Sequence, residues 1–185
     1  MTRLALYGLS ADPPHLGHRA MMRLVGEYFD EVWCWAVDNP LKTSHGASLL
    51  HRQQMLALTI QGLAPHIQHH SEFTSPWTAE SAAIIHYLHP DRKLWVALGS
   101  DALAQVEQWY AFQLLIARIQ GFVEVARDGT TAQQPTVGGL PVLTLTRRIP
   151  PHTSHTLRTE LAAGATPTSL PPQVLTYIQA HGLYH

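Results

Sequence analysis

Short apolar runs alternate with helical patterns along the whole chain. The runs at 4–8 and 32–37 are continuous rather than alternating, which is typical of strands in a parallel sheet that is covered on both faces. Between such runs, apolar residues recur at the three- and four-residue spacing of a helix. The predicted strands are 4–8, 32–37, 67–71, 94–98, 121–126 and 142–145, and the predicted helices are 17–28, 49–63, 79–88, 100–107, 112–117, 153–163 and 174–180.

This alternation of strands and helices predicts an α/β fold with a doubly wound parallel sheet. The segment 128–139 is rich in Gly, Thr and Gln and is predicted to be a loop, and 142–145 is predicted to be the last strand. Only helices are expected after it. We therefore expect residues 1–185 to form a single domain, with 150–185 as its small helical extension.

Charge and cysteine content narrow the classes of function. Only 14% of the 185 residues are charged, and 12 basic against 13 acidic side chains give a formal charge of −1. This balance argues against a sequence-independent electrostatic grip on nucleic acid or on an anionic membrane. No apolar run approaches the roughly 18 residues of a membrane span. Cys34 is the only cysteine, so no intramolecular disulfide or Cys-rich zinc site is expected, and a reducing cytoplasm fits the chain best.

The residues with the clearest chemistry follow the first predicted strand. There the loop 8–18 brings His15 and His18 to the start of a predicted helix. Ligands of doubly wound sheets bind at the carboxyl ends of the strands, and a helix start offers unpaired N–H groups that favour phosphate. The two imidazoles add directional donors, and Gly17 lets a ligand approach the backbone closely. The loop therefore predicts a phosphate site.

The motif at residues 13–18, Pro-Pro-His-Leu-Gly-His, resembles the H-x-G-H signature of the nucleotidyltransferase superfamily. More narrowly, the chain resembles the bacterial nicotinate-nucleotide adenylyltransferases, and it does so along essentially its whole length. The further matching segments are 39–42 with Arg52 and Met55, Trp77-Thr78 with Glu80-Ser81, 98–103 with Trp109, and 171–184.

The resemblance implies a Rossmann-like fold and an enzyme that transfers the adenylyl group of ATP to nicotinate mononucleotide. The products would be nicotinate adenine dinucleotide and diphosphate, a step of NAD biosynthesis. The implied partners are these two substrates, with Mg²⁺ bound together with ATP, and neither nucleic acid nor a membrane. No separate protein metal site is expected, and a homo-oligomer is compatible with the resemblance.

The resemblance also implies roles for individual residues. The implied catalytic residues are His15, His18 and Arg158. The residues expected to bind ATP are Gly8, Ser10, His15, Gly17, His18, Gly99, Asp101, Thr153 and Arg158. The residues expected to bind the acceptor are Lys42, Arg52, Trp77, Thr78, Asp101 and Trp109.

Departures from the family pattern leave other functions open. Leu9 and Ala11 replace a glycine and an aromatic residue of the first loop, and His155 replaces a threonine of a late motif. The acceptor could instead be nicotinamide mononucleotide or phosphopantetheine, or the chain could bind nucleotides without turnover. Its 13 histidines also suggest a metal-binding protein, although those at 66, 69, 70, 86 and 89 are expected to lie at the surface.

Overall fold

The computed structural model describes residues 1–39, 46–126, 135–147 and 153–185. Within these ranges, the strands form one sheet in the order β3-β2-β1-β4-β5-β7-β6. The strands are β1 (Thr2–Leu9), β2 (Glu31–Ala36), β3 (Ile67–His69), β4 (Arg92–Gly99), β5 (Gly121–Ala126), β6 (Thr136–Val137) and β7 (Leu140–Thr146). The helices are α1 (Leu16–Gly26), α2 (Leu49–Ile60), α3 (Thr78–Leu88), α4 (Ser100–Leu103), α5 (Phe112–Ile116), α6 (Ser154–Ala162) and α7 (Pro172–Ala180).

The strand order reverses at β1. The chain first builds outward from β1 through β2 to β3, and then returns to the other side of β1 with β4, β5 and β7. All pairings between these six strands are parallel, with Ala5 opposite Val32 on one side and opposite Trp95 on the other. A crevice is expected at this reversal, outside the carboxyl ends of β1 and β4.

Helices cover both faces of the sheet because its central strands are apolar on both sides. In β1, Ala5 and Tyr7 pack with the apolar face of α1, whereas Leu4 and Leu6 pack with α3 on the opposite side. Successive side chains of a strand point to opposite faces, so one continuous apolar run supplies both layers. The predicted doubly wound fold is confirmed.

The two helices after β7 pack on α2. Their contact is apolar and is formed by Met55 of α2, Leu157 and Leu161 of α6, and Val174 and Ile178 of α7. The helices after β7 are therefore attached to the helix that follows β2. No helix within the described ranges is long and apolar enough to span a bilayer.

Two predicted elements differ from the structure. The predicted loop 128–139 contains β6, which pairs with β7 in an antiparallel hairpin. Gly138 and Gly139 turn the chain with φ of +56° and +81°, which suits a two-residue hairpin, but a two-residue strand is too short to leave a periodic pattern. The predicted helix 100–107 is shorter, because α4 ends at Leu103 and a separate 3₁₀ turn covers Val106–Gln108.

Candidate functional site

The start of α1 is held by two histidine side chains. His15 is the N-cap residue, and its Nδ1 accepts the Gly17 N–H at 3.1 Å. His18 Nδ1 accepts the His15 N–H at 3.2 Å, which completes a capping box made of imidazoles. The two ring centroids are 3.8 Å apart, so the structure brings the predicted pair together at the carboxyl end of β1.

These caps decide which nitrogen of each ring carries the proton. A nitrogen that accepts a backbone N–H cannot itself be protonated, so in the neutral rings of His15 and His18 the proton lies on Nε2. In each ring, the hydrogen bond that Nδ1 accepts thus determines that Nε2 is the nitrogen that carries the proton. Each neutral ring therefore carries its N–H at Nε2, a group that can donate to a phosphate oxygen.

The start of α6 is attached to the same loop. The Arg158 guanidinium donates to the Asp12 carbonyl oxygen at 2.7 Å, and the Ser154 hydroxyl donates to the Pro13 carbonyl oxygen at 2.9 Å. Thr153 caps α6 by accepting the Thr156 N–H at 3.2 Å. Arg158 and Ser154 are thus anchored to residues 12–13, shortly before His15, and the starts of α1 and α6 meet there.

Asp12 is a site residue that sequence reasoning missed. Its carboxylate is buried and accepts the Gly46 N–H at 2.8 Å, the Ala47 N–H at 3.1 Å and the Tyr184 hydroxyl at 2.9 Å. The only sequence signal is an acid within an otherwise uncharged, proline-rich loop. Its partners are distant in sequence, so their identity could not be read from the loop.

A cleft of about 310 Å³ opens beside this loop, between the ends of β1 and β4. Trp77 at the start of α3 forms one wall and packs against Tyr110, with ring centroids 4.8 Å apart and ring planes tilted by 35°. A side chain added at Gly99 would meet no atom within 4 Å, so the glycine keeps the cleft open there. The predicted site residues that line the cleft are Gly8, Ser10, Trp77, Thr78, Gly99 and Trp109.

Of the residues expected to bind the acceptor, Asp101 and Arg52 do not line the cleft. Asp101 is exposed in the first turn of α4 and is not among the residues that line the cleft. Its carboxylate there is favoured by the helix dipole. Lys42 lies outside the described residues. Arg52 is fully buried and reaches no cavity surface.

Arg52 contacts the backbone of the segments around the cleft and does not line the cleft itself. Its guanidinium donates to the carbonyl oxygens of Ser10 and Val37, each at 2.7 Å, and to that of Ala47 at 3.1 Å, and it also pairs with the Asp38 carboxylate. One side chain thereby ties together the segments after β1, after β2 and before α2. Any effect of Arg52 on a bound acceptor is indirect in this arrangement.

The model of the cytidylyltransferase-like family matches residues 6–160. The chain belongs to this family. A probable nicotinate-nucleotide adenylyltransferase of Chloroherpeton thalassium is 30% identical over 100% of this chain and 98% of its own length. A probable enzyme of the same name from Synechocystis is 37% identical over 64% of each chain. The nucleotidyltransferase membership predicted from the motifs is therefore confirmed.

Solved structures of the family share the fold. The nicotinic acid mononucleotide adenylyltransferase of Plasmodium falciparum, solved in complex with NaAD, superposes with a TM-score of 0.79. It is 18% identical, and the match covers 100% of this chain and 98% of that one. At this identity the likeness shows the Rossmann-like architecture, and it agrees with the parallel order of the sheet.

A second, larger hollow of about 650 Å³ lies along the outer side of α1, remote from the cleft. Several of the polar groups that line it are engaged by the chain itself. Arg19 donates to the Gln61 carbonyl oxygen at 2.8 Å at the end of α2, His66 contacts the Gly26 carbonyl oxygen at 2.9 Å, and Glu27 pairs with Arg147 at 2.7 Å. Size alone therefore does not identify the functional site in this family member.

The remaining histidines make separate local contacts. His69 bonds to Gln53 at 2.6 Å, and burial lowers its pKa. His70 bonds to Glu72 at 2.7 Å, whereas His86 is exposed on α3. In the part of the chain that the structure describes, no three His, Cys, Asp or Glu side chains are grouped so that they could hold a metal ion. Of the five histidines expected at the surface, His86 is exposed, whereas the other four, at 66, 69, 70 and 89, are partly buried.

Proposed function

We propose that the chain transfers the adenylyl group of ATP to nicotinate mononucleotide, giving nicotinate adenine dinucleotide and diphosphate. The observation that carries this proposal is the paired imidazole cap of α1. It fixes two Nε2–H donors at the carboxyl end of β1, and Arg158 is anchored to the same loop. The names of the relatives support the choice of this reaction among those of the family.

The reaction needs positioned donors more than it needs a general base. A phosphate oxygen of the mononucleotide attacks the α-phosphorus of ATP, and the bond from that phosphorus to the bridging oxygen of diphosphate breaks. The nucleophile is already anionic near neutral pH, so no proton has to be removed. Alignment and stabilisation of the charge on the transferring and leaving groups then supply the catalysis.

We assign the donors by their position around the loop. His18 serves the α-phosphate and is the main catalytic residue, and His15 serves the neighbouring phosphates at the helix start. Arg158 binds the β- and γ-phosphates, because a planar guanidinium suits bidentate contacts with phosphate. Thr153 shapes the start of α6 through its cap, and Gly17 leaves the backbone of α1 open to the phosphates.

The cleft takes the acceptor. Trp77 and Trp109 offer flat faces for a pyridine ring, and the start of α3 at Thr78 offers N–H and hydroxyl donors for its carboxylate. Gly8, Ser10 and Gly99 leave room at the ends of β1 and β4 where the two substrates meet. A ring that carries a carboxylate is favoured over a carboxamide by such donors.

The expected Mg²⁺ enters as part of the nucleotide. The donors around α1 are imidazole, backbone and guanidinium N–H groups, which bind phosphate oxygens rather than a cation. Mg²⁺ in nucleotide sites keeps water and phosphate oxygens as ligands, and it would neutralise charge on the diphosphate that leaves.

The test is release of diphosphate from purified protein given ATP and Mg²⁺ with nicotinate mononucleotide, nicotinamide mononucleotide or phosphopantetheine. We expect release with nicotinate mononucleotide, and at least a hundredfold loss in a His18→Ala variant, as for removal of one transition-state donor. The matched control is His86→Ala, because His86 is an exposed histidine far along α3.

The outcomes separate the alternatives. A preference for the amide or for phosphopantetheine would keep the reaction class and replace the acceptor. A folded protein that binds ATP but releases no diphosphate with any acceptor would overturn the proposal in favour of a nucleotide-binding role. Equal losses in the His18→Ala and His86→Ala variants would remove His18 from the catalytic assignment.

A further inference from the structure

Four residues from distant parts of the chain meet behind the phosphate site. They are Asp12, Gly46, Arg158 and Tyr184, and we call them the Asp12 junction. The Asp12 carboxylate is their common centre, since each of the others contacts residue 12. Only Arg158 among them has a role in the proposed reaction, so the other three call for a physical account.

The Asp12 carboxylate divides its two oxygens between different partners. Oδ1 accepts the Tyr184 hydroxyl at 2.9 Å and the Ala47 N–H at 3.1 Å. Oδ2 accepts the Gly46 N–H at 2.8 Å and lies 3.6 Å from the Arg158 guanidinium. Among the described residues, the carboxylate thus has at least three hydrogen-bond donors in addition to the arginine.

This sharing determines how strongly Asp12 attracts Arg158. Arginine and carboxylate frequently form a short, bidentate pair. Here the ion-pair distance is 3.6 Å, and the shorter contact of Arg158, 2.7 Å, goes to the Asp12 carbonyl oxygen. The side chain remains 32% exposed. Residue 12 therefore orients Arg158 without holding its guanidinium in a close ion pair. Part of the guanidinium is left to bind phosphate.

Tyr184 has an unfavourable backbone conformation. Its φ is +66°, a left-handed conformation that is unfavourable for a bulky residue and that persists where the surroundings enforce it. Burial, and then the charge of Asp12, raise the pKa of the Tyr184 hydroxyl. The hydroxyl therefore stays protonated and serves as a donor throughout the neutral range.

Gly46 allows the junction to close. A Cβ at this position would lie 2.6 Å from Cδ of Arg158 and 2.7 Å from Cε1 of Tyr184. Such distances are well inside van der Waals contact, so only a residue without a side chain lets the stem of Arg158 and the ring of Tyr184 pack on the same backbone. The tyrosine and the arginine are thus coupled by packing as well as through the carboxylate.

We propose that Tyr184 is a positioning residue for Arg158: by sharing the Asp12 carboxylate, its hydroxyl keeps the guanidinium directed to the triphosphate of ATP. This inference rests on the proposed function. Without the hydroxyl, Asp12 has one donor fewer and attracts Arg158 more strongly. The arginine then forms a closer pair with Asp12 and binds ATP more weakly.

The test is a Tyr184→Phe variant, which removes one oxygen and keeps the ring. We expect the KM for ATP to rise about tenfold, the usual scale for a lost hydrogen bond to a charged group, with the KM for nicotinate mononucleotide and kcat within about threefold of the parent. The matched control is Tyr177→Phe, which also loses a hydrogen-bonded hydroxyl, the one that contacts His51 at 2.9 Å, but lies outside the junction.

A double-mutant cycle shows whether the effect passes through Arg158. ATP affinity is measured by calorimetry for the Arg158→Ala protein and for the Arg158→Ala, Tyr184→Phe double variant. If Tyr184 acts through Arg158, the second substitution changes nothing further. An additional tenfold loss in the double variant, or an equal rise of KM in Tyr177→Phe, would overturn the inference, as would an unchanged KM for ATP in Tyr184→Phe.

The two proposals fail in distinguishable ways. A parent protein that releases diphosphate, together with a Tyr184→Phe variant of unchanged ATP affinity, would leave the function standing and remove the positioning role. A parent protein without turnover would remove the function, and calorimetric ATP binding by the parent and Tyr184→Phe proteins would still decide whether Tyr184 positions Arg158. Thermal unfolding of each variant establishes that it is folded.

Discussion

The two halves of the candidate site are built in opposite ways. Around α1 and α6, each group that we assign to phosphate is fixed by a hydrogen bond to the backbone, namely His15, His18 and Arg158. The cleft between β1 and β4 is instead defined by flat faces and missing side chains, with Trp77 against Tyr110 and open space at Gly99. In the proposed function, the groups around α1 and α6 are positioned in advance for a charged ligand, and the cleft selects its ligand by shape.

This contrast matches the chemistry asked of each half. Donors that stabilise developing charge are effective only if they do not reorganise during the reaction. Recognition of a planar ring requires area and a limited number of polar contacts.

The largest effect is expected where one residue supports both halves. Arg52 holds the carbonyl oxygens of Ser10 and Val37, which line the cleft, and that of Ala47, which belongs to the loop bound by Asp12. Its replacement in Arg52→Met leaves buried groups without donors, so we expect the free energy of unfolding to fall by about 3–5 kcal/mol. Urea denaturation measures this fall.

The comparison variant for that experiment is Arg158→Met, on a partly exposed arginine. It should change the free energy of unfolding by no more than about 1 kcal/mol while it lowers kcat/KM for ATP. Similar unfolding curves for Arg52→Met and Arg158→Met would contradict the stabilising role of the Arg52 hydrogen bonds.

The next effect separates the two tasks of His15. Asparagine is a good N-cap residue, so His15→Asn should keep the stability of α1 while it loses the Nε2–H donor. We expect a fall of about a hundredfold in kcat/KM with little change in unfolding, whereas His15→Ala should lose a further 1 kcal/mol or so of stability. Activity retained in the Asn variant would mean that His15 serves only as a cap.

A smaller effect is expected from the wall of the cleft. Trp77→Ala removes the face that packs against Tyr110, and we expect about a tenfold rise in the KM for nicotinate mononucleotide, the scale of one stacked base. The KM for ATP should not change, and Trp77→Phe should restore most of the loss. A rise confined to ATP would assign the cleft to the wrong substrate.

The smallest effect is on stability at alkaline pH. The folded protein holds the Tyr184 proton above the ordinary tyrosine pKa, so above pH 10 the unfolded chain binds fewer protons than the folded one and stability falls as pH rises. Between pH 10 and 11 the parent should lose about 1 kcal/mol more than Tyr184→Phe. Identical slopes in chemical denaturation at the two pH values would contradict the buried, protonated hydroxyl.

The sequence was most informative where a feature is local. The buried strands β1 and β2 and the histidine loop are each contained in a few consecutive residues. Both the fold class and the position of His15 and His18 at a helix start followed from them. The strand β6 was missed because two residues carry no period. Arg52 was assigned to the acceptor because a motif records that an arginine is present and not which way its guanidinium points.

The Asp12 junction could not be predicted from the sequence, because its contacts are not local. The partners of Asp12 lie 34, 35, 146 and 172 residues further along the chain. No periodicity or spacing rule links positions that far apart, and the resemblance assigned no role to Asp12 or Tyr184. Such contacts follow from the topology, because α7 and the segment after it pack on α2, which precedes them by more than a hundred residues.

Those separations also bear on the order in which the molecule is assembled. Closing a long loop costs chain entropy before any contact rewards it, and contacts between distant segments form slowly compared with local ones. The paired strands and the histidine cap can therefore form before Arg158 has docked at Asp12. Turnover would then report the docking of residues 181–184, so that activity recovered during refolding should lag behind the recovery of secondary structure.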